Sequence, residues 1–387
     1  MTSPKVRKIE WGSLSGTRPR KAGSNARLGE HGSTVRVPLA RITLDDGSVG
    51  FGSCRADAAI AQTLIGQSLD ALFDPRWGTT PAALAPIFGG FDFPLWDLMA
   101  KRAELPVYAL AAQMVGKSVN SPSDGAFEVP CYDTSLYIDD LHVADDAAAA
   151  ALIAGEAREG WARGHRAFKI KVGRGARHMP LDVGTQRDIE VIFAVREAVG
   201  KDAPIMLDAN NGYNLNITKH VLAETAECNI LWMEEAFHED RVLYEDLQAW
   251  LSREGLPVLI ADGEGQASPT LLEWAEAGLV NVVQYDIFAY SFTPWLALGQ
   301  KLDLWGARSA PHHYGGHYGN YAVPHLAGAI DGFTFAEWDE VTTPGLDASG
   351  YSVHEGMVRV PSTPGFGLML EESIFQAAVS AGGYVVE

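Results

Sequence analysis

Along the first 50 residues apolar and polar positions alternate, most clearly in VRVPLARITLDDGSVGFGS, where two β-branched runs flank Asp45-Asp46-Gly47. A period of two marks half-buried strands and Asp-Gly supplies a hairpin turn, so an antiparallel meander is expected. From 58 to 118 the period lengthens: FPLWDLMAKRAELPVYALAAQM sets Leu95, Leu98 and Met99 at i, i+3 and i+4, one face of a helix. Strands followed by helices give an α+β domain, and Asn120-Ser121-Pro122-Ser123-Asp124-Gly125 is a cluster of turn formers that ends it.

Beyond that linker short apolar runs alternate with helical stretches: AFKIKV, PIMLDAN, ILWMEEA, PVLIAD, VNVVQYDI, DLWGARSAPH and FTFAEWDE. After AFKIKV, Thr185 with Asp188 three positions on reads as a capping box opening a helix. Repeated β-then-α units are the mark of an α/β fold. Counting VPCYDTSLYI as the first, eight strands are expected, enough to close a parallel barrel ringed by helices. The chain therefore divides into an α+β domain (1–125), a barrel (126–350), and a segment (351–387) whose strand and short helix pack back on the first domain.

Composition narrows the function. A chain of 387 residues with 47% hydrophobic and 20% charged side chains is neither a single small module nor disordered. Its formal charge of −19 repels a phosphate backbone, which argues against nucleic acid and anionic membranes as partners. No run is long and apolar enough to span a membrane, and MTSPKVRKIEW lacks a signal's apolar core, so a soluble, cytoplasmic protein is expected. Cys54, Cys131 and Cys228 show no C-x-x-C spacing and read as buried thiols.

The apolar runs end in ionisable or polar side chains: Lys169 and Lys171, Asp208 and Asn210, Glu234 and Glu235, Asp262 and Glu264, Asp286, His312 and His313, and Glu337. From Lys171 to Glu337 the steps average about 28 residues, close to one βα unit. In a parallel barrel all C-terminal strand ends converge on one mouth, so these groups line a single pocket. Carboxylates facing one point need a cation, and an all-oxygen set suits Mg²⁺ over zinc. Two lysines at i, i+2 share a face, and crowding their ammonium groups would lower Lys171 toward the range of a base. Asp286 and His312, at consecutive strand ends, allow a carboxylate to orient an imidazole as a second acid/base.

In this order and spacing the motifs resemble the enolase superfamily, specifically its mandelate racemase branch. FKIKV matches its Lys-x-Lys motif, MLDAN and WMEEA the first two metal ligands, ADGEG the third, QYDI with APHHYG the Asp-His dyad, and FAEWDE the late glutamate. FPLWDLMAKRAELPVYAL resembles the helix leading from that family's capping domain to its barrel. The resemblance implies an α+β capping domain, completed by the C-terminal segment, on a modified (β/α)₇β barrel. It implies that Asp208, Glu234 and Glu264 hold one Mg²⁺ per subunit and that Lys171 and His312 are the acid/base pair. Lys169 would depress the pKa of Lys171 and meet the substrate carboxylate, Asp286 would support His312, and Glu337 would hydrogen-bond a carboxylate oxygen as the enediolate forms. ADGEG also offers Asp262; Gly-Glu matches the racemase branch, which favours Glu264, and Pro-His order favours His312 over His313. The i, i+4 spacing of His313 and His317 suits a helical zinc pair, but Gly315 and Gly316 intervene and no third ligand is evident. Gly173-x-Gly175 lacks the third glycine of a nucleotide loop.

The segment from Gly16 to Gly32 is basic and glycine-rich, and its position resembles the family's mobile capping loop. Arg18, Arg20, Lys21, Arg27 and His31 there, with Asn210, Tyr132, Tyr137 and Tyr314 from the barrel, are the candidate substrate contacts. These features imply a Mg²⁺-dependent acid-sugar dehydratase that yields a 2-keto-3-deoxy acid from a small-molecule carboxylate. The alternative is a racemase or epimerase of a 2-hydroxy acid using the same pair. The loop's charge favours a diacid or long polyol, and a homo-oligomer is expected.

Overall fold

The computed structural model describes residues 3–84, 90–119, 126–265 and 267–387; the expected linker, Asn120 to Gly125, lies outside them. The meander forms as Val6–Ala22, Gly32–Leu44 and Val49–Ser53, paired antiparallel. The first strand runs well past the expected loop start, because the in-out alternation continues through Arg18, Arg20 and Ala22 with arginines at inward positions. Helix Asp92–Arg102 lies across this sheet with Leu95 and Leu98 buried. A Cβ on Gly50 would come within 2.5 Å of Leu98 and one on Gly52 within 2.7 Å of Phe93, so the glycines permit this close approach.

Eight parallel strands build the barrel among the described residues: Phe127–Leu136, Phe168–Lys171, Ile205–Asp208, Ile230–Glu234, Leu259–Asp262, Val282–Val283, Arg308–Ser309 and Ala336–Trp338. The eighth pairs with Cys131–Asp133 of the first, and Ser309 of the seventh bridges to Phe333, just ahead of the eighth, closing the ring. Helices such as Asp146–Ala162, Leu181–Val199 and Arg241–Glu254 form the outer layer. Tyr132, Met206, Trp232, Ala261, Val282 and Ala310 fill the interior.

Three local expectations are corrected. Thr185 does not cap: Leu181–Val199 begins behind Pro180, Thr185 Oγ1 donates to Leu181 O (2.7 Å), and Asp188 turns inward to pair with Arg174 Nη1 (2.7 Å). In DLWGARSAPH, Asp303–Trp305 closes the preceding helix, which Gly306 terminates at φ +72°, and only Arg308–Ser309 is strand. The C-terminal segment divides its attachments. Met357–Val360 pairs with Phe127–Pro130 of the barrel, whereas Tyr384–Val386 joins the meander beside Ile9–Trp11 and helix Glu372–Gly382 packs there. No helix among the described residues is long and apolar enough to cross a membrane.

Candidate active site

Register across the parallel strands brings the polar ends together: Lys171 pairs with Asp208, and Asp208 with Glu234. Around the barrel the order is Lys169 and Lys171, Asp208, Glu234, Glu264, Asp286, His312 and Glu337, so the proposed acid/base groups flank the three carboxylates. One oxygen each of Asp208, Glu234 and Glu264 lies within 4.8 Å of the others. Asp262 is not in this cluster; it accepts from Tyr244 OH and from Gly263 N (2.7 Å).

The charges are unbalanced. Lys171 pairs with Asp208, and Lys169 Nζ reaches Glu234 (2.7 Å), Glu337 (3.3 Å) and Asp208 (3.4 Å). Burial raises Asp208, but the two lysines overcome it and hold that carboxyl at about 2. Glu234 is pushed up to about 8 because burial, with Asp208 and Glu264 nearby, outweighs Lys169. Buried carboxylates that two ammonium groups do not fully satisfy, all offering oxygen, fit a hard divalent cation such as Mg²⁺.

Lys171 departs from expectation. Burial and Lys169 do lower it, but the adjacent Asp208 outweighs them, so its ammonium is strengthened. His312 bridges Asp286 (Nδ1 to Oδ2, 2.9 Å) and Glu264 (Nε2 to Oε2, 3.1 Å). Burial opposes its charge, yet Glu264, Glu337 and Asp286 raise it to about 10, an imidazolium at neutral pH. Glu337 accepts from Thr134 Oγ1 (2.8 Å), His313 N (2.7 Å) and Tyr314 N (3.0 Å), and Lys169 and the histidines overcome burial to hold it well below the usual range. It is the acceptor in all three of these hydrogen bonds.

The neighbouring histidines separate cleanly. His313 bonds Glu337 O (2.7 Å) and His317 bonds Thr343 and Tyr321 (2.8 and 2.9 Å), so the zinc-like spacing leads to no shared site. Gly173 N donates to the Asp188 carboxylate (2.8 Å), occupying a group that a phosphate would need.

A cavity of about 350 Å³ opens over Lys171, Glu264, His312, Tyr137 and Tyr314, with Arg18 and His31 on its capping side. The other candidate contacts sit elsewhere. Asn210 donates to Glu264 Oε1 and Glu235 Oε2 (both 3.0 Å), beside the carboxylate cluster, and is not part of the cavity lining. Tyr132 lies inside the barrel edge-on to Trp232 (5.8 Å). Arg20 is held by Ser135 O (2.8 Å), Glu159 (3.2 Å) and Glu156 (3.3 Å), Lys21 pairs with Glu30, and Arg27 is exposed. Arg18 forks onto Asp339, and burial, with Lys171 and Arg18 adding, pushes His31 down to about 4. The basic segment thus aims little free charge into the cavity, contrary to the expectation of a diacid-binding loop.

Asp339, one position beyond strand Ala336–Trp338, was not among the expected site residues although it stands two after Glu337. Gln284, in QYDI, donates from Nε2 to Glu234 Oε2 (2.8 Å), and carries no charge that would mark it beside Asp286.

The family described as Enolase C-terminal domain-like matches residues 152–374. D-galactarolactone cycloisomerase of Agrobacterium fabrum is 30% identical over 302 residues, 72% of this chain and 71% of that protein. Galacturonate dehydratase from Geobacillus sp., complexed with D-galacturonate and 5-keto-4-deoxy-D-galacturonate, is 47% identical with a TM-score of 0.93, covering 100% of both chains. A mandelate racemase/muconate lactonizing protein from Geobacillus sp. Y412MC10, complexed with magnesium and tartrate, is 47% identical with a TM-score of 0.94, covering 100% of this chain and 98% of that one.

Proposed function

The chain belongs to the enolase superfamily, in its mandelate racemase branch, and is a Mg²⁺-dependent acid-sugar dehydratase; we propose that its acid sugar is a hexuronate, D-galacturonate foremost. The observation that carries this is the arrangement at one cavity of Lys171, Glu264 and His312, with Asp208 and Glu234 clustered on Glu264 and Asp286 bonded to His312. Similarity over the whole length to a galacturonate dehydratase supports the choice of sugar.

Mg²⁺ held by Asp208, Glu234 and Glu264 would supply Lewis-acid stabilisation for the negative charge that builds on the carboxylate. Lys171, on one side of the ligand set, is placed to take the proton from the carbon next to that carboxylate; it does so as the neutral amine, and a cation sharing the Asp208 carboxylate would weaken the pairing that strengthens its ammonium. His312, on the other side and oriented by Asp286, is placed to protonate the hydroxyl on the following carbon as its C–O bond breaks. Water leaves, and the resulting enol takes a proton at the β-carbon to give the 2-keto-3-deoxy acid, counted from the carboxylate. Lys169, between Glu234 and Glu337, supplies positive charge beside the developing enediolate. The proposal extends to a cytoplasmic homo-oligomer; the three buried free cysteines suit a reducing compartment.

Incubation of the protein with D-galacturonate and Mg²⁺ in D₂O tests this. The expected product is the keto-deoxy acid carrying deuterium at the new methylene. Exchange of the α-proton across a panel of acid sugars without loss of water would instead establish the racemase reading. Light scattering gives the oligomeric state.

A further inference from the structure

We propose that Asp339 sets the class of acid sugar: by cancelling the charge of Arg18 in the cavity wall, it admits a substrate whose far end is neutral and rejects a diacid. This rests on the hexuronate reading of the same site and adds the reason for it.

The geometry is specific. Arg18 Nε donates to Asp339 Oδ1 and Oδ2 (3.0 and 3.2 Å) and Nη2 to Oδ2 (2.8 Å), a fork in which both residues are buried, at 7% and 1% exposure. The pair is fixed on both sides. Asp339 N donates to Asn320 Oδ1 (3.1 Å) while Asn320 Nδ2 donates back to Asp339 O (2.8 Å), and the guanidinium lies over the Tyr314 ring at 4.5 Å. The Asp339 backbone and the Arg18 guanidinium are thus both held where the fork forms.

Arg18 nonetheless lines the cavity, reaching it from the capping strand, whereas Lys171, Glu264 and His312 reach it from the barrel. The carboxylate whose α-proton is removed must sit among the barrel groups, so the sugar's other end extends toward Arg18. A free guanidinium there would attract a second carboxylate; a guanidinium already forked onto Asp339 has no net charge to offer. A diacid would lose the hydration of its second carboxylate and bring it toward the Asp339 charge without gaining a cation of its own. Arg36, also at the cavity, is exposed and keeps its hydration. A neutral carbonyl or hydroxyl meets no such repulsion. It can accept from Nη1, whose protein acceptor, Gly32 O, is distant at 3.5 Å. Galacturonate and galactarate differ only in whether that far carbon is an aldehyde or a carboxylate, which makes them matched probes.

Binding of the two acids with Mg²⁺ by calorimetry, together with their kcat/KM values, tests the assignment in the wild-type protein, in Asp339→Asn, and in the doubly neutral Arg18→Gln/Asp339→Asn. Wild type is expected to bind galactarate at least tenfold more weakly than galacturonate. Asp339→Asn should raise the galactarate-to-galacturonate ratio at least tenfold, and the double variant should bring it back to within about threefold of wild type. A purely structural Asp339 would depress both acids alike and leave the ratio unchanged, which overturns the assignment. Equal or tighter galactarate binding by the wild-type protein also overturns it, even where Asp339→Asn does not fold. Failure of the wild-type protein to dehydrate any hexuronate refutes the substrate reading instead, and the binding ratios still decide the role of Asp339.

Discussion

Asp286 divides its carboxylate between a helix and a histidine: Oδ1 accepts from Phe288 N and Ala289 N (2.9 and 3.0 Å), while Oδ2 lies 2.9 Å from His312 Nδ1. Rotation of the carboxylate would break the cap of helix Ile287–Tyr290, so the imidazole it orients is fixed as well.

Replacement of Asp286 by Asn should therefore keep the fold and lower dehydration by about 10²–10⁴-fold, the usual worth of a positioned acid. The pH profile should also move. His312 is raised to about 10 against burial by Glu264, Glu337 and Asp286, so its acid form is present below that pH and lost above it. Removal of one of these charges lowers the value, and the alkaline limb of kcat should shift to lower pH. An unshifted limb would detach that limb from His312.

Lys171→Ala and His312→Asn should each reduce turnover by several orders of magnitude and yet differ in what they retain. With Lys171 as the base, His312→Asn should still exchange the α-proton in D₂O, followed by NMR, while Lys171→Ala should not. The opposite pattern would exchange the two roles.

Asn210 holds Glu264 and Glu235 with its amide, from a backbone at φ +42°. Asn210→Ala should weaken Mg²⁺ about 10–100-fold by calorimetry, as loss of a ligand's support does elsewhere. With saturating Mg²⁺ the KM for the sugar should stay near wild type; a large rise in KM would return Asn210 to the substrate.

Tyr132→Phe removes a buried hydroxyl that has no hydrogen-bond partner among the described residues. Activity should remain within about twofold of wild type and thermal stability should hold or rise, because nothing paired is lost. A large fall in kcat/KM would place Tyr132 back among the substrate contacts.

Acid should destabilise the protein through buried imidazoles. His325 and His317 are pushed down to about 3, by burial in both and by His313 and Arg18 in addition at His317. Each is neutral when folded but gains a proton near pH 6.5 when unfolded, so its stability contribution is whole above pH 6.5 and lost as pH falls toward 3. The Tm should drop across that window. His325→Leu should flatten the drop, while lowering Tm at pH 7 because Tyr108 N loses its acceptor at 2.9 Å.

The barrel was legible because each strand end announces itself: an apolar run stops at an ionisable residue, and parallel register then gathers Lys171, Asp208 and Glu234 without further information. The capping strand was not legible as far as Arg20, because arginine at an inward position reads as loop until its partners, Asp339 for Arg18 and Glu156 for Arg20, are known. Those partners lie in the barrel, far along the chain, and no local pattern shows such a pairing. The surroundings of Asn210 and Tyr132 were hidden for a related reason. Their residue types announce polarity, but which side of a strand end they serve depends on a left-handed backbone turn in one case and on interior packing in the other.

The sheet that carries Arg18 has as its neighbour, beside Ile9–Trp11, the strand Tyr384–Val386. On a ribosome the first of these emerges long before the second, so the sheet's edge waits open while the whole barrel is made. Contacts spanning so much chain are slow to form. The edge beside Ile9–Trp11 is therefore expected to be the slowest part of the capping sheet to complete, while Arg18, farther along the same strand, takes its partner Asp339 from the barrel.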